Sequence, residues 1–488
     1  MAPTAPSPIR RSLPAFACRA VFAAVLACTG GCATQEAPRP MPQAPATYTH
    51  ADAASVARGG QGAVAWWRAG DLPVLDAWVD SALARNADLA MAGTRLRRAM
   101  LEARLAGAQR APTASGGWNA RATRSLDGEQ HNPGLGGSGG SGQITVGWEL
   151  DLFGRLGALQ DAARFDAEAS AQDRQAVRMV LVASVAGLYF QLAHANERAA
   201  MAEASERDAR RIVDLVQARY QAGAEGRLAL HEALQVLDER AAELAARRQA
   251  ATVLRERVRV LLDGAPLPGP EPQALPGIAL PPVQPGIPSD LLGHRPDLQA
   301  AQLRLQAAGA RIDAASASYY PNISLTSALG SSSRALLDVL ANPVATLGLG
   351  VTLPFLKAPT LGIEREIART RHEEAVEGFR KALYTALGEV DQTLSARTRL
   401  AEQEAALQKA QSRAAEVTSL YETRYRAGLL PLRSWLDAKE RLRAAEAAHS
   451  ATRLAQLMNQ IQLRQVLGSD WVGNGSRTDR SIPQSMKP

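Results

Sequence analysis

The chain has 488 residues, a formal net charge of +7 and only 5% aromatic residues. A single hydrophobic core rarely serves a chain of this length, so two units or an extended architecture are expected. The low aromatic content favours long helices over a compact mixed core. Basic residues alternate with acidic ones, as in the helix-spaced pair of Glu203 and Arg207, which indicates a solvated surface and excludes a nucleic-acid patch.

The first 31 residues have the pattern of a secretory signal peptide. Arg10 and Arg11 form a basic segment, and Ala20–Cys28 is an apolar run of the length that a signal peptide needs. The run is too short to cross a bilayer as a helix. All cysteines of the chain lie at or before Cys32, which excludes a disulfide scaffold and a cysteine metal site in the mature chain.

The small residues Thr29–Gly31 lead directly to Cys32 and resemble a bacterial lipobox. That resemblance implies that Cys32 is acylated and becomes the mature N-terminus, and this covalent lipid is the only attached group expected. Cys28, which follows Val25–Ala27, is a competing site. Cys32 is favoured because it leaves a longer apolar run before the cleavage point. The alternative is an ordinary cleaved signal peptide.

The mature chain consists of two similar halves. Asp88 and Asp297 stand in matching motifs 209 residues apart, and Tyr220 and Tyr425 stand in matching motifs 205 residues apart. The predicted segments are a signal peptide at 1–31, a lipidated tail at 32–60, a first repeat at 61–265, a proline-rich connector at 266–288, a second repeat at 289–471 and a flexible C-terminal tail at 472–488.

Each repeat contains one predicted β-hairpin, at residues 113–152 and 322–355. Apolar residues alternate with polar or small ones, which is the period of a strand with two different faces. The strands are near the length of a tilted membrane strand, about 9–11 residues. Two half-buried soluble hairpins are the alternative. The residues predicted to face lipid are Ile144, Val146, Trp148, Leu150, Leu347, Leu349, Val351 and Leu353.

Residues 156–222 and 361–427 are predicted to form two very long helices. Each run holds 67 residues without proline, which at 1.5 Å per residue corresponds to roughly 100 Å. The glycines Gly223 and Gly428 end them in the manner of helix C-caps. An intramolecular coiled coil without any conduit is the alternative for such helices alone.

Shorter helices return along the long ones, at 227–262 and 432–467. They are too short to match 67 residues. Stacking the helices that precede the strands, at 88–110 and 297–318, end to end with them would restore the length. The sequence therefore predicts a wall of two helices per repeat at every height.

Other chemistry is sparse. The glycine-rich segment 134–142 lacks the Lys–Ser/Thr pair of a phosphate loop and is predicted to be an external hairpin loop. The seven histidines have no metal-ligand spacing. Because no nucleophile stands with a base, the chain is not expected to be an enzyme.

Several motifs together resemble the outer-membrane efflux lipoproteins of the NodT/OprM type, which are relatives of TolC. The motifs are Trp66–Trp67, Trp148–Arg155, Arg295–Leu298, Tyr320–Pro321 and Gln465–Gly468. The resemblance implies a homotrimer with four strands per chain in a shared twelve-stranded β-barrel and a periplasmic tunnel of twelve helices. It also implies an outer-membrane location and coupling to a periplasmic adaptor and an inner-membrane transporter of the RND type.

The resemblance also implies site residues. Asp437 matches the family's gate aspartate, and Arg433 stands four residues before it, so the two could pair on one helix. Two solvated helix charges are the alternative. The adaptor would dock on the helical turns, whose residues are Gly223, Gly428, Arg219, Tyr220, Arg424 and Tyr425. The remaining function classes are a lipid-anchored structural or adhesive coiled-coil protein and the outer-membrane duct of a polypeptide export system.

Overall fold

The computed structural model describes residues 48–49, 66–123, 137–277, 288, 291–333 and 343–468. The predicted signal peptide at 1–31, nearly all of the tail at 32–60, Cys32 and the C-terminal tail at 472–488 lie outside these residues. A 3-10 helix, Trp66–Gly70, precedes the first α-helix. The α-helices are α1 (Pro73–Arg85), α2 (Ala87–Ala108), α3 (Arg155–Gln221), α4 (Arg227–Leu261), α5 (Leu291–His294), α6 (Pro296–Ala317), α7 (Ala358–Arg426) and α8 (Leu432–Val466).

One antiparallel sheet contains the four described strands in the order β1-β2-β3-β4. The strands are β1 (Thr113–Thr123), β2 (Gly137–Leu150), β3 (Asn322–Ser333) and β4 (Pro343–Thr352). Among the residues that the structure describes, β1 and β4 each pair on one side only, so the outer edge of each has no partner strand there.

Two predicted strand boundaries were wrong. Residues 137–142 belong to β2 and are not an external loop. Gly142 lies opposite Trp118, and a Cβ on Gly142 would stand 3.0 Å from the indole ring, so glycine leaves room for this ring. At the other end of the sheet, β4 stops at Thr352 and a short 3-10 helix follows at Pro354–Lys357, so Leu353 lies just outside the strand.

The apolar residues of all four strands share one face. Ile144 pairs with Leu329, and Trp148 pairs with Leu325, which in turn pairs with Leu349. This face is exposed in the single chain, and Leu347 on it keeps 75% of its surface accessible. Soluble monomers rarely expose a contiguous apolar surface of this extent, which marks the face as one that meets lipid or another apolar phase.

The helices follow the predicted lengths closely. Helix α3 has 67 residues and α7 has 69. Among the described residues, α3 is the one helix long and apolar enough to pass a composition test for a membrane span, and most of its apolar stretch is buried inside the structure. On α3, Val182 and Phe190 pack with Trp78 of α1 in the main core, and all three side chains are fully buried.

The shorter helices stack end to end, as predicted. At the start of α2, Asn86 Oδ1 accepts a bond from Leu89 N at 3.1 Å, and Asn86 Nδ2 donates to the O of Leu261, the last residue of α4, at 3.2 Å. In the second repeat, Arg295 Nη1 donates to the O of Val466, the last residue of α8, at 3.2 Å. We call these two contacts the mid-level junctions.

The described part of the proline-rich connector, residues 266–277, packs beside α3 and α4. Trp78 Nε1 donates to Pro268 O at 2.9 Å, and Leu275 N donates to Glu197 Oε2 at 2.9 Å. Arg255 Nη2 donates to Glu271 Oε2 at 2.9 Å, and this bond holds the pKa of Glu271 below its ordinary value. The connector is therefore fastened at the level of the main core.

Candidate functional site at the helical turns

Both long helices end at a glycine in the left-handed backbone conformation. Gly223 has a φ of 73° and Gly428 a φ of 74°, a region that L side chains rarely adopt. In the first turn, Ala224 N donates to Arg219 O at 2.8 Å, and the second turn repeats this bond. These bonds form Schellman C-caps, which satisfy the last carbonyls and reverse the chain into α4 and α8.

The second turn is fastened to the first around one buried ring. Tyr425 is 1% exposed and stacks on Trp435 with ring centroids 5.2 Å apart. Arg219 on α3 donates to Tyr425 O at 3.2 Å and places its guanidinium 4.8 Å from the ring centroid. The Tyr425 hydroxyl donates to Glu225 at 3.2 Å, and burial raises the pKa of Tyr425, which keeps this hydroxyl protonated.

Ion pairs add further links between the two helical hairpins just above the turns. Lys439 on α8 binds Asp208 on α3, and its Nζ lies 5.2 Å from the centroid of the Trp435 ring. Arg240 on α4 contacts Glu440 on α8 at 3.1 Å. These pairs join α3 and α4 to α8, so separating the hairpins would break all of them together.

The predicted pairing of Arg433 with Asp437 is not formed. Arg433 Nη1 lies 3.5 Å from Glu232 Oε1 on α4, so this arginine makes another link between the hairpins. Asp437 is exposed and has no ion pair within the part of the chain that the structure describes. Its charge is therefore not neutralised by another described residue.

The turn residues predicted for docking are divided by burial. Tyr220 is 40% exposed, and Arg424, Gly223 and Gly428 are also exposed. Tyr425 is 1% exposed, so its side chain is covered in this structure, and its predicted part in docking stays a prediction. Stacking on Trp435 explains the burial, since the equivalent of Trp435 in the first repeat is Leu230, which offers no stacking partner.

The motif at the end of β2 has a local structural explanation. Asp151 accepts bonds from Leu156 N at 3.0 Å and Gly157 N at 2.7 Å, which caps the start of α3. Gly154 turns the chain with a φ of 74°. Arg155 contacts Glu149 at 2.7 Å. The motif therefore converts a strand into a long helix at a fixed angle.

Some residues that hold this arrangement were not singled out from the sequence. Trp435, Glu225 and Lys439 all lie within a few residues of a turn, and an aromatic or charged residue there was the available signal. Asn86 and Arg295 occupy the same place in the two repeats, two residues before the matched aspartates. The repeat comparison already aligns their motifs, but only the structure shows that each residue binds the end of a stacked helix.

Groups of three or more His, Cys, Asp or Glu side chains suited to a metal are absent from the described residues.

Comparison with known proteins decides the family. Residues 78–262 and 287–469, which cover most of both repeats, match the family described as Outer membrane efflux protein. The chain belongs to this family.

Relatives in the outer membrane efflux protein family align over most of the chain. The pyoverdine export outer membrane protein OpmQ of Pseudomonas putida is 29% identical over 420 residues, which cover 83% of this chain and 88% of OpmQ. The toluene efflux pump outer membrane protein TtgC of Pseudomonas putida is 29% identical over 456 residues, 91% of this chain and 93% of TtgC. A solved structure of CusC is 26% identical in sequence and has a TM-score of 0.76. The match covers 88% of this chain and 99% of the CusC chain.

These matches confirm the predicted resemblance and the TolC-like fold. The protein is an efflux channel component of the outer membrane, with helices that extend into the periplasm. The family and the fold are those of channel proteins. That the exposed apolar face of the sheet meets lipid stays a prediction.

Proposed function

We propose that this protein is the homotrimeric outer-membrane duct of a tripartite efflux system. The observation that carries the proposal is a four-stranded sheet with two open edges and one exposed apolar face. Lipid offers no hydrogen bonds to open strand edges, so the sheet must close, and four strands are too few to close on themselves. Three chains supply twelve strands for one barrel.

The duct is passive and does no bond chemistry. Its resting state is closed at the turns, where three copies of the exposed Asp437 face the axis and favour cations. The contacts around Tyr425 and the link from Arg433 to Glu232 hold each pair of hairpins together in that state. Opening separates the hairpins.

The partners are a periplasmic adaptor protein and an inner-membrane transporter of the RND type. The adaptor contacts the exposed part of the turns and binds the exposed side chains of Tyr220 and Arg424. Relatives carry names as different as pyoverdine export and toluene efflux. The transporter therefore chooses the cargo, and we propose drugs or other small molecules as its class.

The anchor is a lipid on Cys32. The proposal rests on the small residues before Cys32 and the signal-like segment before them. Mass spectrometry of the mature N-terminus should find a lipid-modified Cys32. An acylated Cys28 would move the site, and an unmodified terminus elsewhere would remove the anchor from the proposal.

The first test is assembly and conduction. Protein purified from outer membranes in detergent should migrate as an SDS-resistant trimer and conduct ions in planar bilayers. A water-soluble monomer without conductance would overturn the proposal and favour a structural coiled-coil protein. Deletion of the chain in its own organism should then raise susceptibility to the cargo of the co-purifying transporter.

The second test is the gate. Asp437→Ala should raise the resting conductance and reduce the preference for cations, because three like charges leave the axis. Asp80→Ala is the matched control, since Asp80 is an exposed carboxylate on α1, far from the turns. Unchanged conductance and selectivity in Asp437→Ala would remove the gate role and leave the duct itself standing.

A further inference from the structure

The helices of one chain form a row with two unpartnered ends. Near the membrane, α3 packs between α2 and α6, and α6 packs in turn against α7. In the described residues the row therefore ends at α2 on one side and at α7 on the other. By the repeat offsets, α2 is equivalent to α6 and α7 is equivalent to α3. The contact of α3 with α6 inside the chain is thus a template for a contact of α7 with α2 of another chain.

The template contact has a defined pattern. Arg311 on α6 binds Asp166 on α3. Arg304, also on α6, binds Asp173 on α3. One turn nearer the membrane than Arg311, Ala314 and Ala162 are buried at 4% and 3% exposure, and one turn further away Ala307 is fully buried. Two ion pairs and small buried residues therefore characterise the contact of α3 with α6.

The free faces hold larger and charged residues at the same places. With the offset of 209 residues, Ala307, Arg311 and Ala314 of α6 become Arg98, Glu102 and Leu105 of α2. With the offset of 205, Ala162, Asp166 and Ala169 of α3 become Ile367, Arg371 and Glu374 of α7. All six of these equivalents are exposed in the single chain, including Leu105 at 63% and Ile367 at 46%.

The charges match across the two faces. Glu102 stands where Arg311 stands, and Arg371 stands where Asp166 stands, so this one of the two ion pairs recurs with its signs exchanged. The other pair, Arg304 with Asp173, does not recur, because its equivalents are Arg95 and Gly378. Arg98 and Glu374 form a second opposite pair one turn away. Within its own chain Glu102 has only the exposed neighbour Arg98 at 3.6 Å, and Arg371 and Glu374 have no ion pair within the described residues.

We infer that α2 of one chain packs against α7 of a second copy, with Glu102 against Arg371, Arg98 against Glu374 and Leu105 against Ile367. The inference rests on the proposed trimer and gives its seam a register. Reversed signs also make the seam selective, because α2 cannot replace α6 against α3 without placing Glu102 against Asp166.

Cysteine pairs test the register. Leu105→Cys combined with Ile367→Cys should give a disulfide-linked trimer on a non-reducing gel of oxidised outer membranes. The matched control is Ala162→Cys with Ala314→Cys, the same pair inside the chain, which should be oxidised while the denatured chain stays monomeric. Each single-cysteine variant controls for links through the N-terminal cysteines.

Charge exchange tests the pairing independently. Glu102→Arg and Arg371→Glu should each lower the temperature at which the trimer dissociates in SDS. The double variant should recover most of the lost dissociation temperature. A native trimer without the cross-link and without rescue would overturn the seam and leave the proposed function intact. Rescue of Arg371→Glu by Asp166→Arg instead would place Arg371 in the groove over α6, which it also borders. Absence of any trimer in the parent protein would overturn the proposed function itself.

Discussion

The mid-level junctions and the turns both hold helices together, but by contacts of opposite character. At the second junction, Arg295 is 9% exposed and binds Asp297 at 2.7 Å, Glu389 at 2.8 Å and the end of α8. At the turns, Arg433 reaches Glu232 with 74% of its own side chain exposed. The second junction depends on a buried cation, whereas the turns combine the buried Tyr425 with exposed links such as the one from Arg433.

Elementary energetics explains this division. An exposed ion pair contributes about 0–1 kcal/mol, whereas removing one partner of a buried pair costs about 3–5 kcal/mol. Parting the hairpins at the turns therefore breaks several weak links and transfers their charges to water. Breaking the second junction would leave the buried guanidinium of Arg295 without the carboxylates that bind it.

The largest expected effect is at the second junction. Arg295→Ala should destabilise the folded protein by about 1.5–3 kcal/mol, because the hydrogen bonds from its buried guanidinium to Asp297, Glu389 and Val466 O are lost. Thermal unfolding of the purified protein, followed by circular dichroism, measures this. Arg68→Ala is the control. Both side chains of its ion pair with Asp80 are exposed, so the loss of folding stability should be below about 1 kcal/mol. Equal losses in the two variants would contradict the distinction between the regions.

The first junction should be the weaker of the two. Asn86→Ala removes a helix cap and one bond to α4, and should cost about 1–2 kcal/mol. The same unfolding measurement applies. Asn86→Asp keeps the cap and loses the donor to Leu261, so it separates the two contributions. A loss as large as that of Arg295→Ala would show that charge is not what distinguishes the junctions.

The second junction should also respond to acid. Burial raises the pKa of Asp297, but two hydrogen bonds from Arg295 outweigh it and hold the pKa below the ordinary value of 3.8. This contribution to stability is present above pH 3.8 and is lost as pH falls through the lower pKa of the folded state. Asp297→Asn should show a weaker decline in stability below that pH than the parent protein, and identical acid profiles would contradict the assignment.

The smallest effect on folding should occur at the turns, with the clearest effect on conduction. Tyr425→Phe removes only the bond to Glu225 and should cost about 0.5–1.5 kcal/mol, while resting conductance in bilayers rises. Tyr220→Phe is the matched variant in the other repeat. Because the hydroxyl of Tyr220 is exposed, this variant should change neither the stability nor the resting conductance. If Tyr425→Phe left conductance at the parent level, this bond would have no part in closure.

Long-range features of the fold were readable from the sequence because they depend on local regularity. Proline-free runs predicted α3 and α7, and period-two alternation predicted the strands. The start of β2 was missed because residues 137–142 are glycine and serine, whose role depends on Trp118 of the next strand. A glycine run carries no alternation to detect.

The candidate site was readable only in part, because its contacts join segments far apart in the chain. Spacing along α8 suggested that Arg433 could reach Asp437, but a carboxylate on α4 lies in its path. The burial of Tyr425 depends on Trp435, and its equivalent Tyr220 has the same local sequence. Repeat offsets locate equivalent positions, but only the structure tells which copy is buried.

The open edges of the sheet have a consequence for biogenesis. A newly exported chain cannot enter the bilayer alone, since the outer edges of β1 and β4 would carry unpaired amides and carbonyls into lipid. Insertion must therefore wait for encounters between chains, and the yield of channels should rise more steeply than in proportion to synthesis. A cell that halves its synthesis of this chain would therefore lose more than half of its assembled channels.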